Sequence, residues 1–519
     1  MFFMVGKSIF KGAVILTTAG VITRLLGFIY RIFMSNVMGA EGMGLYQLIM
    51  PIYMLAWSIS CSGFNTAVSK LVAQERVKGE TGNMGRVLKQ SVVITTGLGI
   101  LTTLVLFFGA ELIATYIIQD QRAVLPLQIL SLAFPFMAAG TCVRGYFIGL
   151  QETTIPAINQ VLEQIVRMAV VYALAGTFMH RGLEFAAAVA VFGIVCEEIF
   201  SFFYIFFSYK RYKKKNLLVK PPSYTSSKIF GMIMVMAVPL TANRVTSSML
   251  AAWENVLIPG RLQQFGMSAQ EAMSTFGRLN GMAMPLIYFP TAMLTALAIT
   301  LVPAVSEAVE TKDFTGIAAT ASKSVLFASI CGMGAAALFI AFPNELGQVI
   351  YNQQIGSMLM MLGVLCPLLY IHIVLSGILN GLGCQVFIFR NALLSSVISI
   401  AFILFLVPYM GIAAYIIGSF ISLVVVCVLE LVKIRESIKL EISILNWIIK
   451  PALAAAMAGT AGRFTMDRFF SDSNPDPFSL IFGIIVLMCM FITVIFLTGC
   501  LSFTDIKRLI RVKGKLEYS

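Results

Sequence analysis

Apolar residues along this chain run in blocks of about 20 or more, broken by short stretches where Lys, Arg, Asn, Asp, Pro and Gly gather, and they do not alternate with polar ones. A block of that length without a solvated face matches the thickness of a bilayer. A window of about 19 residues places helices at 8–35, 44–72, 88–110, 125–149, 154–179, 184–209, 229–258, 277–305, 322–342, 357–382, 387–409, 411–434, 446–464 and 477–502. The pattern predicts an all-α polytopic membrane protein with about fourteen transmembrane helices.

The pattern also repeats. Phe134-Pro135 followed by Arg144-Gly145 and Gly149-Leu150 recurs, with its internal spacing unchanged, as Cys366-Pro367 followed by Ser376-Gly377 and Gly381-Leu382. Within a few residues the same offset, that of Pro135 from Pro367, pairs Glu111-Leu112 with Glu345-Leu346, and Ala67-Val68-Ser69 with Ala304-Val305-Ser306. Six spans separate the copies, and an even number gives parallel repeats related by an axis along the membrane normal, an architecture of secondary transporters. The expected organisation is an N-terminal lobe at 1–209, a basic cytoplasmic linker at 210–228, a C-terminal lobe at 229–436, and two further helices with a basic cytoplasmic tail at 437–519.

Composition removes the soluble alternatives. Of 519 residues 59% are hydrophobic and 12% charged, about half the charge fraction of a globular enzyme. The net charge of +13 would suggest nucleic acid in a soluble chain, but no nucleic-acid motif accompanies it. The 37 basic residues sort instead by loop: 27 fall on the N-terminal side of the predicted helices, six on the other and four inside helices. Arg144 is counted here among the loop residues. The positive-inside rule then predicts that both termini are cytoplasmic. The apolar run after Lys7 and Lys11 has no small-residue cleavage site and reads as a first span. The nine cysteines never form CxxC, and no nucleotide-binding loop, zinc motif or paired nucleophile and base is present, so no cofactor, metal or enzymatic chemistry is predicted.

The candidate chemistry lies in charges that a bilayer disfavours by about 2.5–3.5 kcal/mol each on insertion scales. Arg24 and Arg31 are seven residues apart and share a face of the first helix. Arg244 sits in a polar belt with Thr241, Asn243, Thr246, Ser247 and Ser248. From the nearest cytoplasmic lysines, Arg24 and Arg244 lie about 20 and 24 Å in, and Arg31 about 30 Å in. Two readings stand for these arginines: anchors for an anion in a wet cavity, with Asn243 and Ser247 beside Arg244, or structural charges, with Arg31 snorkelling to the outer interface. Glu163 and Arg167 stand at i and i+4, where they can neutralise one another. That pair reads either as a packing lock or as a gating or ion-coupling element. Glu197 and Glu198 could hold a proton or counter an arginine, and His372 reads as a hydrogen-bonded core residue in preference to a coupling site. The KRYKKK loop is a positive-inside determinant with contacts to anionic lipid. Ser268 to Glu271 fits a capping box, and Pro239, Pro285, Pro290 and Pro303 are places for helices to kink.

Arg24-Leu-Leu-Gly27-Phe28-Ile-Tyr-Arg31, Gly39-Ala-Glu41-Gly42-Met-Gly44-Leu45-Tyr46, Glu163-Gln164-Ile-Val-Arg167, and the stretch from Tyr288-Phe-Pro290 to Ser306-Glu307 together resemble the polysaccharide-transporter branch of the multidrug/oligosaccharidyl-lipid/polysaccharide flippase superfamily. The resemblance spans nearly the whole chain. It implies two six-helix lobes facing a central cavity, a lipid-linked glycan pyrophosphate as cargo, membrane lipids and proteins of peptidoglycan synthesis as partners, and peptidoglycan precursor transport in endospore-forming bacteria. Lipid II flippases of the superfamily use cavity arginines in their first, second and eighth helices. Arg24 and Arg31 match the first-helix pair, the second helix here has none, and either Arg278 or Arg244 is left for the remaining role. Another lipid-linked polysaccharide unit is an alternative cargo. A cation-coupled multidrug antiporter would present cavity acids in place of arginines. A membrane glycosyltransferase would need a catalytic acid in a large outer loop, and the outer loops here are under about 20 residues.

Overall fold

The computed structural model describes residues 2–178, 181–215, 221–438, 440, 442–469 and 477–500, with side chains from Ile15 onward. The expected basic tail after Leu501 lies outside these residues. Among the described residues every regular element is helical. Contacts divide the chain into two compact units, Met1–Gly281 and Met282–Ser519.

In the first unit, α1 (Phe2–Trp57) is two helices joined at Gly39, whose φ of 69° lies outside the range L side chains favour. The break falls between the first two predicted spans. A π-helical turn at Ser58–Ser62 leads into α2 (Gly63–Val77). Then follow α3 (Thr81–Leu112), α4 (Val124–Ser131), α5 (Phe134–Gly149), α6 (Thr154–Phe178), α7 (Leu183–Lys215), α8 (Ser226–Gln264) and α9 (Ala269–Phe276). The second unit holds α10 (Met284–Tyr288), α11 (Thr291–Glu310), α12 (Phe314–Ala341), α13 (Pro343–Tyr351), α14 (Gly356–Gly363), α15 (Cys366–Gly381), α16 (Gln385–Phe405), α17 (Val407–Met410), α18 (Ile412–Ile438), α19 (Lys450–Phe469) and α20 (Pro477–Leu497).

Ten helices among the described residues are long and apolar enough to cross a membrane, or twelve when each of two bent pairs counts as one span. The sequence count of fourteen takes Ile15–Val77 as two crossings around Gly39 and adds α19, which falls short of that hydropathy test. The span expected at 277–305 is not one helix. A π-helical turn at Gly277–Ala283, the short α10 and α11 replace it. Pro285 and Pro290 stand where these pieces meet, each removing a backbone donor. The Ser268 capping box forms as expected, with the Ser268 amide donating to Glu271 Oε2 at 2.9 Å and the Glu271 amide to Ser268 Oγ at 3.2 Å.

The repeat is a structural one. The offset that carries Pro135 to Pro367 also carries both ends of α4 onto the ends of α14, and both ends of α5 onto the ends of α15. The paired helices bend by 47° in the first unit and 49° in the second. The shared glycines mark close helix contacts. A Cβ on Gly145 would stand 2.6 Å from the Asn65 carbonyl oxygen on α2, and one on Gly377 would stand 3.0 Å from Ala298 Cα on α11. This contact is why glycine recurs at that spacing, and it holds α5 on α2 and α15 on α11.

Candidate functional site

Helix α6 carries Asn159, Glu163 and Arg167 at four-residue steps, so all three share one face. Helix α7, packed along α6, brings Glu197, Glu198 and Ser201 to that face. Arg144 arrives from α5. It lies inside that helix, within the predicted span 125–149, and so does not belong with the loop residues among which the charge tally counts it. The expected neutralisation of Glu163 by Arg167 does not occur. Glu163 Oε1 lies 2.7 Å from Arg144 Nη1 and accepts further bonds from Asn159 Nδ2 at 2.8 Å and from the Ser201 hydroxyl. Arg167 donates instead through Nε to Glu197 Oε2 at 2.7 Å, and its guanidinium carbon stands 6.0 Å from the centre of the Tyr30 ring. Each side chain of that i,i+4 pair is thus held by a partner on a neighbouring helix, Glu163 by Arg144 of α5 and Arg167 by Glu197 of α7. Glu198 completes the cluster 3.8 Å from Arg144 Nη2, and its buried Oε2 makes no hydrogen bond among the described residues. Three carboxylates thus face two guanidinium groups.

The other intramembrane arginines differ in kind. Arg24 is exposed on α1 and Arg31 half-buried one heptad later, and neither makes an ion pair among the described residues. Between them, a Cβ on Gly27 would stand 3.9 Å from Nε2 of Gln164, a buried amide nitrogen without a hydrogen bond among the described residues. Arg244 is exposed on α8 together with Asn243, Thr246 and Ser247. The hydroxyls of Thr246 and Ser247 turn back to the carbonyls of Ala242 and Asn243 at 2.9 and 3.1 Å. Helix α8 packs on α1 and α2 within the first unit, and Ser248 Oγ lies 2.6 Å from Ser58 Oγ. Arg278 is half-buried in its π-helical turn. It lines a pocket of about 530 Å³ with Gln270, Glu271 and Ser274, and its buried Nε makes no hydrogen bond among the described residues.

Two clusters fasten the ends of the first unit. Arg122 Nη1 meets Glu41 Oε1 at 2.7 Å, just past the Gly39 break, and Arg122 Nη2 meets Asp120 Oδ2 at 2.7 Å. These partners raise the Arg122 pKa further, chiefly through the Asp120 hydrogen bond. At the opposite end Asn83 Nδ2 donates to the buried Glu75 Oε2 at 2.7 Å and to Ser223 Oγ at 2.9 Å, tying the segment before α8 to α2 and α3.

In the second unit the sequence singled out His372 but passed over its partner. Glu430 of α18 is completely buried, and His372 Nδ1 lies 2.9 Å from its Oε2 while the Ser376 hydroxyl donates to its Oε1 at 2.8 Å. His372 is accordingly hydrogen-bonded, as expected. Glu430 follows Glu198 at the same offset that separates Pro367 from Pro135, and that spacing was the available signal for it.

A family model described as polysaccharide biosynthesis protein matches residues 9–309. The chain is 28% identical over 459 residues to stage V sporulation protein B of Bacillus subtilis (strain 168), covering 87% of this chain and 88% of that one. It is 25% identical over 333 residues to the lipid II flippase MurJ of the same organism, covering 58% of each. A solved structure of lipid II flippase MurJ in an inward closed conformation aligns with a TM-score of 0.65 at 13% identity, over 93% of this chain and 98% of that one.

Proposed function

Because the chain belongs to the polysaccharide biosynthesis protein family and its relatives include a lipid II flippase, we propose that it flips an undecaprenyl-pyrophosphate-linked peptidoglycan precursor for spore cortex synthesis. The cargo crosses the bacterial cytoplasmic membrane by alternating access, with both termini of the protein cytoplasmic and proteins of peptidoglycan synthesis as its partners. Repeat lobes at 1–209 and 229–436 and the linker at 210–228 remain the organisation we assign to that cycle.

One observation carries the reading. The intramembrane arginines divide into Arg144 and Arg167, which carboxylates already hold, and Arg24, Arg31 and Arg244, which make no ion pair among the described residues and stand exposed or half-buried. A guanidinium kept in an apolar span without a counter-charge asks for an anion, and its planar donor fork suits a pyrophosphate. Asn243 and Ser247 beside Arg244 offer hydrogen bonds to a glycan, while the lipid tail stays in the bilayer. An antiporter of organic cations would need the reverse, free carboxylates, whereas Glu163 and Glu197 are each bonded to an arginine. The test is exposure of lipid-linked precursor on the outer leaflet of cells depleted of other flippases. Expression of the protein should restore it, and no restoration at normal abundance would sink the proposed cargo.

A further inference from the structure

The two repeats place a carboxylate at equivalent points, Glu198 on α7 and Glu430 on α18, and balance it differently. In the first unit the residue opposite is Arg144, a group that never gives up its proton. At the matching position of the second unit, one residue before Gly377 as Arg144 is one before Gly145, stands Ser376. A serine hydroxyl satisfies one carboxylate oxygen but supplies no charge. The basic group there is His372, one turn earlier on α15, charged only when protonated, and an imidazole gains and loses a proton in the physiological range.

From this difference we infer that His372 and Glu430 form a proton-binding site specific to the second unit, holding one proton shared between imidazole and carboxylate. Burial makes the stoichiometry strict. Glu430 is 0% exposed, so with the proton present the pair is neutral, and without it a carboxylate is left in an apolar interior with no counter-charge. The proton belongs to the pair, whichever atom carries it. The His372 side chain is 32% exposed, so the imidazole is the member of the pair that reaches the protein surface. Among the described residues no other group nearby offers compensation. The further titratable side chain beside Glu430 is Cys427 on the same helix. The charged residues of the helices packed on α15, namely Glu307 and Glu310 on α11, Lys323 on α12 and Arg390 on α16, are exposed and pair with none of the site's atoms. Lys433, Arg435 and Glu436 follow in the last turns of α18, and Lys433 pairs with Glu436 at 3.7 Å. If the chain transports as proposed, loading and release of this proton is a point at which a proton gradient enters the cycle.

The site is tested first on the purified full-length chain without cargo, so that its outcome does not depend on the flippase reading. The midpoint of thermal unfolding is followed between about pH 5 and about pH 8 for wild type, Glu430→Gln and His372→Arg. Loss of the shared proton destabilises only the wild type. Its midpoint should therefore fall by about 2 °C or more across that range relative to either variant. His372→Arg supplies a permanent counter-charge and guards against the case in which Glu430→Gln fails to fold. Identical pH profiles for wild type and the folded variants overturn the site. In the outer-leaflet exposure assay, wild-type rate should vary with pH and His372→Arg should abolish that variation. An unfolding result as expected with no precursor exposure at any pH would refute the cargo and leave the proton site standing. A variation with pH that survives in His372→Arg overturns the link between the site and transport.

Discussion

Arg144 on α5 and Glu163 on α6 are in contact at 2.7 Å, and this ion pair replaces the one that Glu163 would have made with Arg167 on its own helix. Both side chains are largely buried, so removing one leaves the other without compensation, which costs about 3–5 kcal/mol. Arg144→Met and Glu163→Gln should each lower the folded amount in the membrane, and the double change should recover much of it. A double-mutant cycle on thermal stability should give a coupling of about 1–3 kcal/mol between Glu163 and Arg144 and close to none between Glu163 and Arg167. Strong coupling along α6 instead would refute the pairing.

Arg24 should behave in the opposite way, since it balances no carboxylate among the described residues. Arg24→Ala is expected to leave abundance unchanged and to reduce precursor exposure by about tenfold or more, the size of a lost charge-assisted hydrogen bond. Arg24→Lys should recover little, because an ammonium cannot make a two-pronged contact. Full exposure with Arg24→Ala at normal abundance would return the exposed arginines to a packing role.

Close contact at the repeated glycines makes them intolerant of bulk. Gly145→Val and Gly377→Val should each destabilise their unit by about 1–3 kcal/mol through overpacking, read as lower melting temperature and lower yield. Glycine at 85, where a Cβ would meet nothing within 4 Å, serves as the control, and Gly85→Val should escape this overpacking cost. Equal effects at all three positions would argue against the contacts.

Single cysteines in a background without the nine native ones report the topology. Lys214 at the end of α7 and Gln270 in α9 are both exposed. The imbalance of basic residues predicts labelling of Lys214→Cys from the cytoplasm only and of Gln270→Cys from outside only. Reaction of Lys214→Cys with an impermeant reagent on intact cells would invert the assignment.

The linear sequence determined the class of the molecule because apolar block length and the spacing of Pro and Gly are local quantities that a bilayer reads directly. Runs of Leu, Ile, Val and Phe are sufficient to specify membrane helices, and Pro135, Gly145 and Gly149 against Pro367, Gly377 and Gly381 reveal the repeat because close helix contact admits little but glycine. Pairing of charges was beyond its reach. Glu163 has one candidate partner at i+4 in sequence, but the tertiary structure brings Arg144 from a neighbouring helix, and the geometry between helices decides which is nearer. Arg144 falls within the predicted span 125–149 yet is tallied with the basic loop residues, since a charge near a helix end is usually solvated. Only its pairing with carboxylates of α6 and α7 shows that it is held inside. Glu430 illustrates the same limit, since its position in α18 says nothing by itself about burial. What makes it a site is that the fold sets it at 0% exposure with His372 as its charge partner, a consequence of which helix faces meet and not of any motif.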